Sequence, residues 1–212
     1  MSLHHRWVAG ALLIACFAPL TAKAQRNGGD VGDVRLAAYF ALGVGGDAEV
    51  TTGSSESSAS LDPTVGFGAR IEVPVHEYVA IGGIFELLTF EADTAFADER
   101  EAVFDFDVWV KGRYRFEISE GLAIEPYIGI PFGLALAVLD DPDGDGDEVW
   151  PGFNIGVLAG AMLIVDSRFG ALLELGWRHH QVFTEVSSFL GDLDVSIETN
   201  QFAMHFGGFF AF

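Results

Sequence analysis

Taken two residues at a time, the chain repeatedly sorts large apolar side chains onto one face and small or charged ones onto the other, which is the period of an extended strand. From Val34 to Val44, the series Val34, Leu36, Ala38, Phe40 and Leu42 alternates with Arg35, Ala37, Tyr39, Ala41 and Gly43. From Thr64 to Val73, Val65, Phe67, Ala69, Ile71 and Val73 stand against Thr64, Gly66, Gly68, Arg70 and Glu72. The alternation is strongest from Val103 to Phe116, where Phe104, Phe106, Val108, Val110, Tyr114 and Phe116 oppose Asp105, Asp107, Trp109, Lys111, Arg113 and Arg115. Segments near 78–90, 122–136, 153–165, 169–180 and 195–212 follow the same rule, so the pattern predicts eight strands. Pro126 and Pro131 interrupt the fifth, and because proline cannot donate to a strand ladder a bend or bulge is expected there.

The connections alternate in length. Short ones fall near 75–77, 117–121 and 166–168, and long ones at 45–62, 91–102, 138–151 and 183–194. The strands reach or exceed the roughly 9 to 11 residues that a tilted strand needs to cross hydrocarbon, and an even number returns both ends to one side. A soluble calycin-like barrel or sandwich is the alternative with the same alternation. Its water-facing side would carry Lys, Glu, Thr and Ser, whereas the second face here carries Gly66, Gly68, Ala123, Gly129, Gly133, Gly156 and Gly160 beside a few charges. Such residues fill a narrow bore, and the bulky face then meets lipid. The predicted fold is all-β, an eight-stranded antiparallel up-and-down transmembrane β-barrel.

The first residues read as an export signal: Arg6, an apolar run from Trp7 to Leu20, then Ala22, Lys23 and Ala24 ahead of Gln25. Residues 1–24 are therefore set aside as a signal peptide, leaving 25–212 as one barrel domain. Leu13 to Cys16 offers a second cleavage option, as a lipobox with Cys16 as its lipidated residue. Cys16 is the single cysteine, so no disulfide is expected. The net charge is −20, and −22 once Arg6 and Lys23 leave with the signal, a balance that excludes nucleic acid as a partner.

The chain closes on His205, Phe206, Gly207, Gly208, Phe209, Phe210, Ala211 and Phe212. His205, Gly207, Phe210 and Phe212 look like the C-terminal signal by which outer-membrane barrels are recognised by their assembly machinery. With the strand pattern, and with Glu174 to Arg178 and Pro126 to Gly129 as recurring strand phrases, the chain resembles the OmpA and OmpX-like family of eight-stranded outer-membrane barrels. That resemblance implies residence in the outer membrane of a Gram-negative cell, contact with its lipid and lipopolysaccharide, and a monomer.

Candidate chemistry falls in three places. Arg70, Glu72, Lys111, Arg113, Arg115, Glu125, Glu174 and Arg178 share the inward face and are expected to form a charge network across the lumen. Asp141, Asp143 and Asp145 before Gly146, with Asp147 following, match the opening of a calcium loop, although Gly152 stands where the closing glutamate belongs. Weak Ca2+ binding is the expectation, with no other cofactor. His179, His180, Glu185, Ser187 and Ser188 carry the residue types of lipid A-modifying barrels, but lack the serine two positions after histidine. The chain is accordingly read as a non-enzyme with a structural or surface-interaction role, its flexible loop at 45–62 offering a place for a partner. A small-solute channel and a lipid A-modifying enzyme stay open as alternatives.

Overall fold

The computed structural model of the protein describes residues 33–53, 55–90, 101–140, 147–188 and 191–212. The export signal and Cys16 lie outside them. Ten strands occur among the described residues: β1 (Arg35–Thr52), β2 (Ser55–Ser60), β3 (Thr64–His76), β4 (Val79–Phe90), β5 (Glu101–Arg113), β6 (Phe116–Ser119), β7 (Leu122–Asp140), β8 (Asp147–Val165), β9 (Phe169–Ser188) and β10 (Gly191–Ala211). Eight are staves. β1, β3, β4, β5, β7, β8, β9 and β10 pair antiparallel in chain order, and β10 pairs back onto β1 from Phe210↔Leu36 to Val195↔Thr52, which closes the ring. Closure satisfies every stave on both edges, as a sheet in hydrocarbon requires.

Alternation then divides the side chains. Phe40, Phe67, Ile128, Leu134, Leu173 and Phe206 stand exposed on the outside, while Tyr39, Arg70, Trp109, Glu125, Leu158 and Glu174 are buried within. Rings collect along the outer surface, with Tyr78 stacked on Tyr114 near the short turns and Phe40 on Phe206 further along. The turn after β8 is tight: Asp166 and Ser167 both adopt left-handed φ, 49° and 59°, and the Arg168 amide donates to the Val165 carbonyl at 3.1 Å. Two such residues in succession make the primed turn whose twist matches the flanking strands.

Three expectations are corrected. Three of the four segments read as long loops are largely strand where described: β1 runs to Thr52 and β2 returns along it, β7 reaches Asp140, β8 starts at Asp147, and β9 and β10 approach each other at Ser188 and Gly191, while 91–100 lie outside the described residues. The part of 45–62 expected to be flexible is thus a hairpin arm. Above the rim the outward face of a strand meets water instead of lipid, so the sequence there loses the bulky apolar period that marks the girdle. The prolines of β7 bring no register shift: pairing with β8 runs through Pro126, skips Ile130 and Pro131, and resumes in the same register at Phe132, while pairing with β5 includes Pro131. Pro126 pairs with Ala161, and its carbonyl accepts from the Tyr114 amide at 3.1 Å, so the stave keeps its acceptors while lacking two donors. Finally, β5 ends at Arg113 and the chain breaks before β6, which removes Arg115 from the inward series.

Among the described residues β7, β8, β9, β10 and β1, with β2 at the side, rise above the rim as a wall. A bulge between Val44 and Gly46 marks the base of the wall on β1, where Gly45 and Gly46 take φ of 63° and 135°. The inserted residue shifts β1 by one, so that Ala48 faces in and packs with Leu61 above it, whereas odd-numbered residues face in below.

Candidate functional site

The bore is filled by charge from the turn end upward. Near the turns Glu125 accepts from Arg35 at 2.6 and 2.9 Å, from Lys111 at 3.3 Å and from Arg113 at 3.2 Å. Lys111 also donates to Glu72 at 2.6 Å, and Arg70 reaches the other oxygen of Glu72 at 3.0 Å. One turn of the bore higher, Arg70 pairs with Glu174, which also accepts from Tyr127 at 2.7 Å and contacts His205 Nδ1 at 3.0 Å. His205 Nε2 lies 3.4 Å from Glu86, and Tyr39 donates to the same carboxylate at 2.9 Å. Towards the loops Arg178 bridges Asp105 at 2.8 Å and Asp107 at 3.0 Å, Asn154 donates to Asp107 at 2.7 Å, and His180 Nε2 meets Asp105 at 2.8 Å. The carboxylates Glu72, Asp105, Asp107, Glu125 and Glu174 each face a buried Arg or Lys, the condition under which buried ions persist.

Aromatic and apolar side chains close the gaps. Trp109 is wholly buried, with Arg70 over its ring at 4.9 Å and Tyr127 edge-on at 6.4 Å. Gly129 sits where any Cβ would enter the Trp109 ring, so the glycine face predicted for β7 is what lets this indole lie across the bore. Above His180 a second cluster, Val103, Ala135, Ala137, Leu139 and Val182 with Trp150 and Ile197, forms an apolar lid. The cavity between lid and charges is about 30 Å³, lined by Thr64, Leu88, His180, Thr199 and Gln201 among others. That is room for a water or two.

Of the eight residues predicted for the lumen, the structure brings together Arg70, Glu72, Lys111, Arg113, Glu125, Glu174 and Arg178. Arg115 lies elsewhere. Its side chain is 36% exposed at the turn end, where it pairs with Glu117 at 2.6 Å and reaches Ser167 at 3.2 Å. Six further members escaped the sequence reading of the network: Arg35, Glu86, Asp105, Asp107, His180 and His205. The same parity that placed Arg70 inside applies to all six, so alternation alone was the signal. His205 and Gly207, predicted as part of an assembly signal, face the bore and the β1 backbone respectively, while Phe210 and Phe212 stack on the outside.

Asp141, Asp143 and Asp145 lie outside the described residues, and Asp147 opens β8. Among the described residues no group of three or more metal-binding side chains occurs. His179 and His180 point to opposite faces: His180 enters the bore, while His179 turns outward to Asn200 at 3.0 Å and stacks on Trp177 at 5.8 Å.

A closed ring of eight antiparallel staves with an apolar exterior and an ion-paired interior is a membrane-spanning arrangement. No family model and no curated relative matches the sequence. Solved structures do. The outer membrane protein OprG from Pseudomonas aeruginosa superposes with a TM-score of 0.57 at 9% identity, over 85% of this chain and 96% of that one. The outer membrane protein AlkL, solved in lipid bilayers, gives 0.51 at 17% identity, over 88% and 92%. The chain folds as an outer-membrane β-barrel. Identities this low speak for the barrel fold alone, and the apolar girdle is the physical reason to read it as spanning a bilayer.

Proposed function

We propose that this outer-membrane barrel is a closed scaffold whose work is done at its surface, as a monomer set in outer-membrane lipid and lipopolysaccharide. The observation that carries the reading is the filled bore. Charged layers, the Trp109 ring and the apolar lid fill the bore among the described residues, and the cavity below the lid is about 30 Å³, far below a solute path. In planar bilayers the refolded protein is expected to insert without steady ohmic conductance. A stable open level of porin size would overturn the reading in favour of a channel.

The surface is strongly acidic at one end. The segments 45–62, 91–101, 138–151 and 183–198 hold Arg100 as their one Lys or Arg against a long series of Asp and Glu. On the wall, Glu56 holds the Glu49 carboxyl above its usual range, with Glu198 adding to the effect. Weak calcium binding by the loop with Asp141, Asp143, Asp145 and Asp147 belongs to this proposal, and calorimetry at millimolar calcium without heat would remove it. A non-catalytic role is favoured by the opposed directions of His179 and His180, which keep the two imidazoles out of a common site. Insertion through the cell's barrel-assembly machinery, guided by the His205 to Phe212 segment, completes the proposal.

A further inference from the structure

The outward face of the wall carries side chains that neither the girdle nor the bore uses. Register arranges them in rows across β1, β10 and β9. Phe202 pairs with Trp177, then come Asn200 and His179, then Glu49, Glu198 and Gln181, and then Thr51, Ser196 and Phe183. At the top row an open groove of about 570 Å³ lies along β1, β10 and β9, lined by Thr51, Gly53, Phe183, Thr184, Asp194 and Ser196. The Gly53 amide ties the end of β1 to β10 by donating to the Asp194 carbonyl at 3.2 Å.

We infer that this groove binds a neutral saccharide, and that its occupant is the sugar chain of the glycolipid surrounding the barrel. Chemistry comes first. Phe183 offers an exposed ring at the groove, braced by Phe153 at 6.2 Å, and an aromatic face packs against the C–H face of a pyranose. On the same outward face stand the Thr51 and Ser196 hydroxyls and the Asp194 carboxylate, which can exchange hydrogen bonds with sugar hydroxyls. A small set of placed polar groups on an apolar floor, at this size, is the general form of a small-ligand site.

Charge selects against anions. The row beneath the groove holds Glu49 and Glu198 directly across from each other, with Glu56 on the adjoining strand, so sulfate or phosphate is repelled. Position selects the occupant. The groove is continuous with the girdle through an aromatic stripe, Trp177 stacked on His179 and His179 beside Phe153 at 6.1 Å. Phe183 is six residues beyond Trp177 on β9, about 20 Å along a strand and, at a tilt of roughly 40°, about 15 Å above the apolar band. An outward face at that height looks into the saccharide layer of neighbouring lipid, with acyl chains below it.

This inference rests on the surface-contact reading and names its ligand. The test uses the full chain refolded in detergent micelles and titrated with a neutral hexose oligosaccharide of the outer-core type, free of phosphate and acidic sugars, followed by saturation-transfer NMR and calorimetry. Saturable binding is expected, about tenfold weaker in Phe183→Ala and in Ser196→Tyr, which fills the groove. Sucrose octasulfate and inorganic phosphate should not compete. Absence of binding, equal binding by both variants, or competition by either anion would overturn the proposal. Both substitutions lie on the wall, and heat-modifiable gel mobility shows for each that the barrel has formed. Conductance in bilayers would sink the closed scaffold while leaving this titration readable, and failure of the titration would leave the closed bore intact.

Discussion

Glu125 takes hydrogen bonds from three cations at once, and this crowding sets what its loss should do. Glu125→Gln leaves Arg35, Lys111 and Arg113 facing one another in a bore without solvent to screen them. Unfolding in urea from lipid vesicles should show a loss of about 3–5 kcal/mol, the range for a buried ion deprived of its partner. Arg115→Ala, at the exposed turn end, should stay within about 0.5 kcal/mol. The contrast also shows what could be read at this scale beforehand. Alternation put Lys111 and Arg113 inside correctly, and it failed at Arg115 because a strand's end has no signature in its own periodicity. Nor could spacing foretell which carboxylate meets which guanidinium: Arg35 and Glu125 are 90 positions apart and touch only because the ring closes.

Among the elements, the base of the wall on β1 is where a single residue redirects a whole segment. Gly46 has φ 135° and its Cβ would strike the Asn200 backbone carbonyl, whereas Gly45 at 63° has open space around it. Gly46→Val should therefore fray β1 from β10 above the rim, at a cost of about 1–3 kcal/mol local to the wall. Amide exchange of residues 47–52 and 195–200 should quicken while heat-modifiable mobility, which reports the girdle, is unchanged. Gly45→Asn should leave both as they are, since asparagine tolerates that conformation. The strands of the girdle were legible because lipid on one side and a packed bore on the other impose a contrast at every second residue. The wall was not. Ser55 to Ser60 of β2 and the acids of β1 and β10 have water on at least one face and no apolar mate, so they looked like loops. In β7 the two prolines cost no register: the ladder to β8 lapses only at Ile130 and Pro131 and resumes unshifted.

The whole molecule is held upright by the outer apolar band between the turn-side rings, such as Phe169, and the loop-side Trp177. Leu173 is midway between them on β9 and half exposed. Leu173→Arg puts a charge at the midplane and should destabilise the barrel in bilayers by about 2–4 kcal/mol. Ser196→Arg, on the wall, should not change that stability, and folding titrations in thin and thick bilayers distinguish the two. The seam between β1 and β10 governs how such a molecule can come into being. Without β10, both β1 and β9 would carry bare amides and carbonyls down a full edge, in a medium that offers them no partner. A seven-stave intermediate is thus no smaller version of the finished object. Insertion has to be an all-or-none event, and until the two outermost staves meet, something other than lipid must shelter their edges.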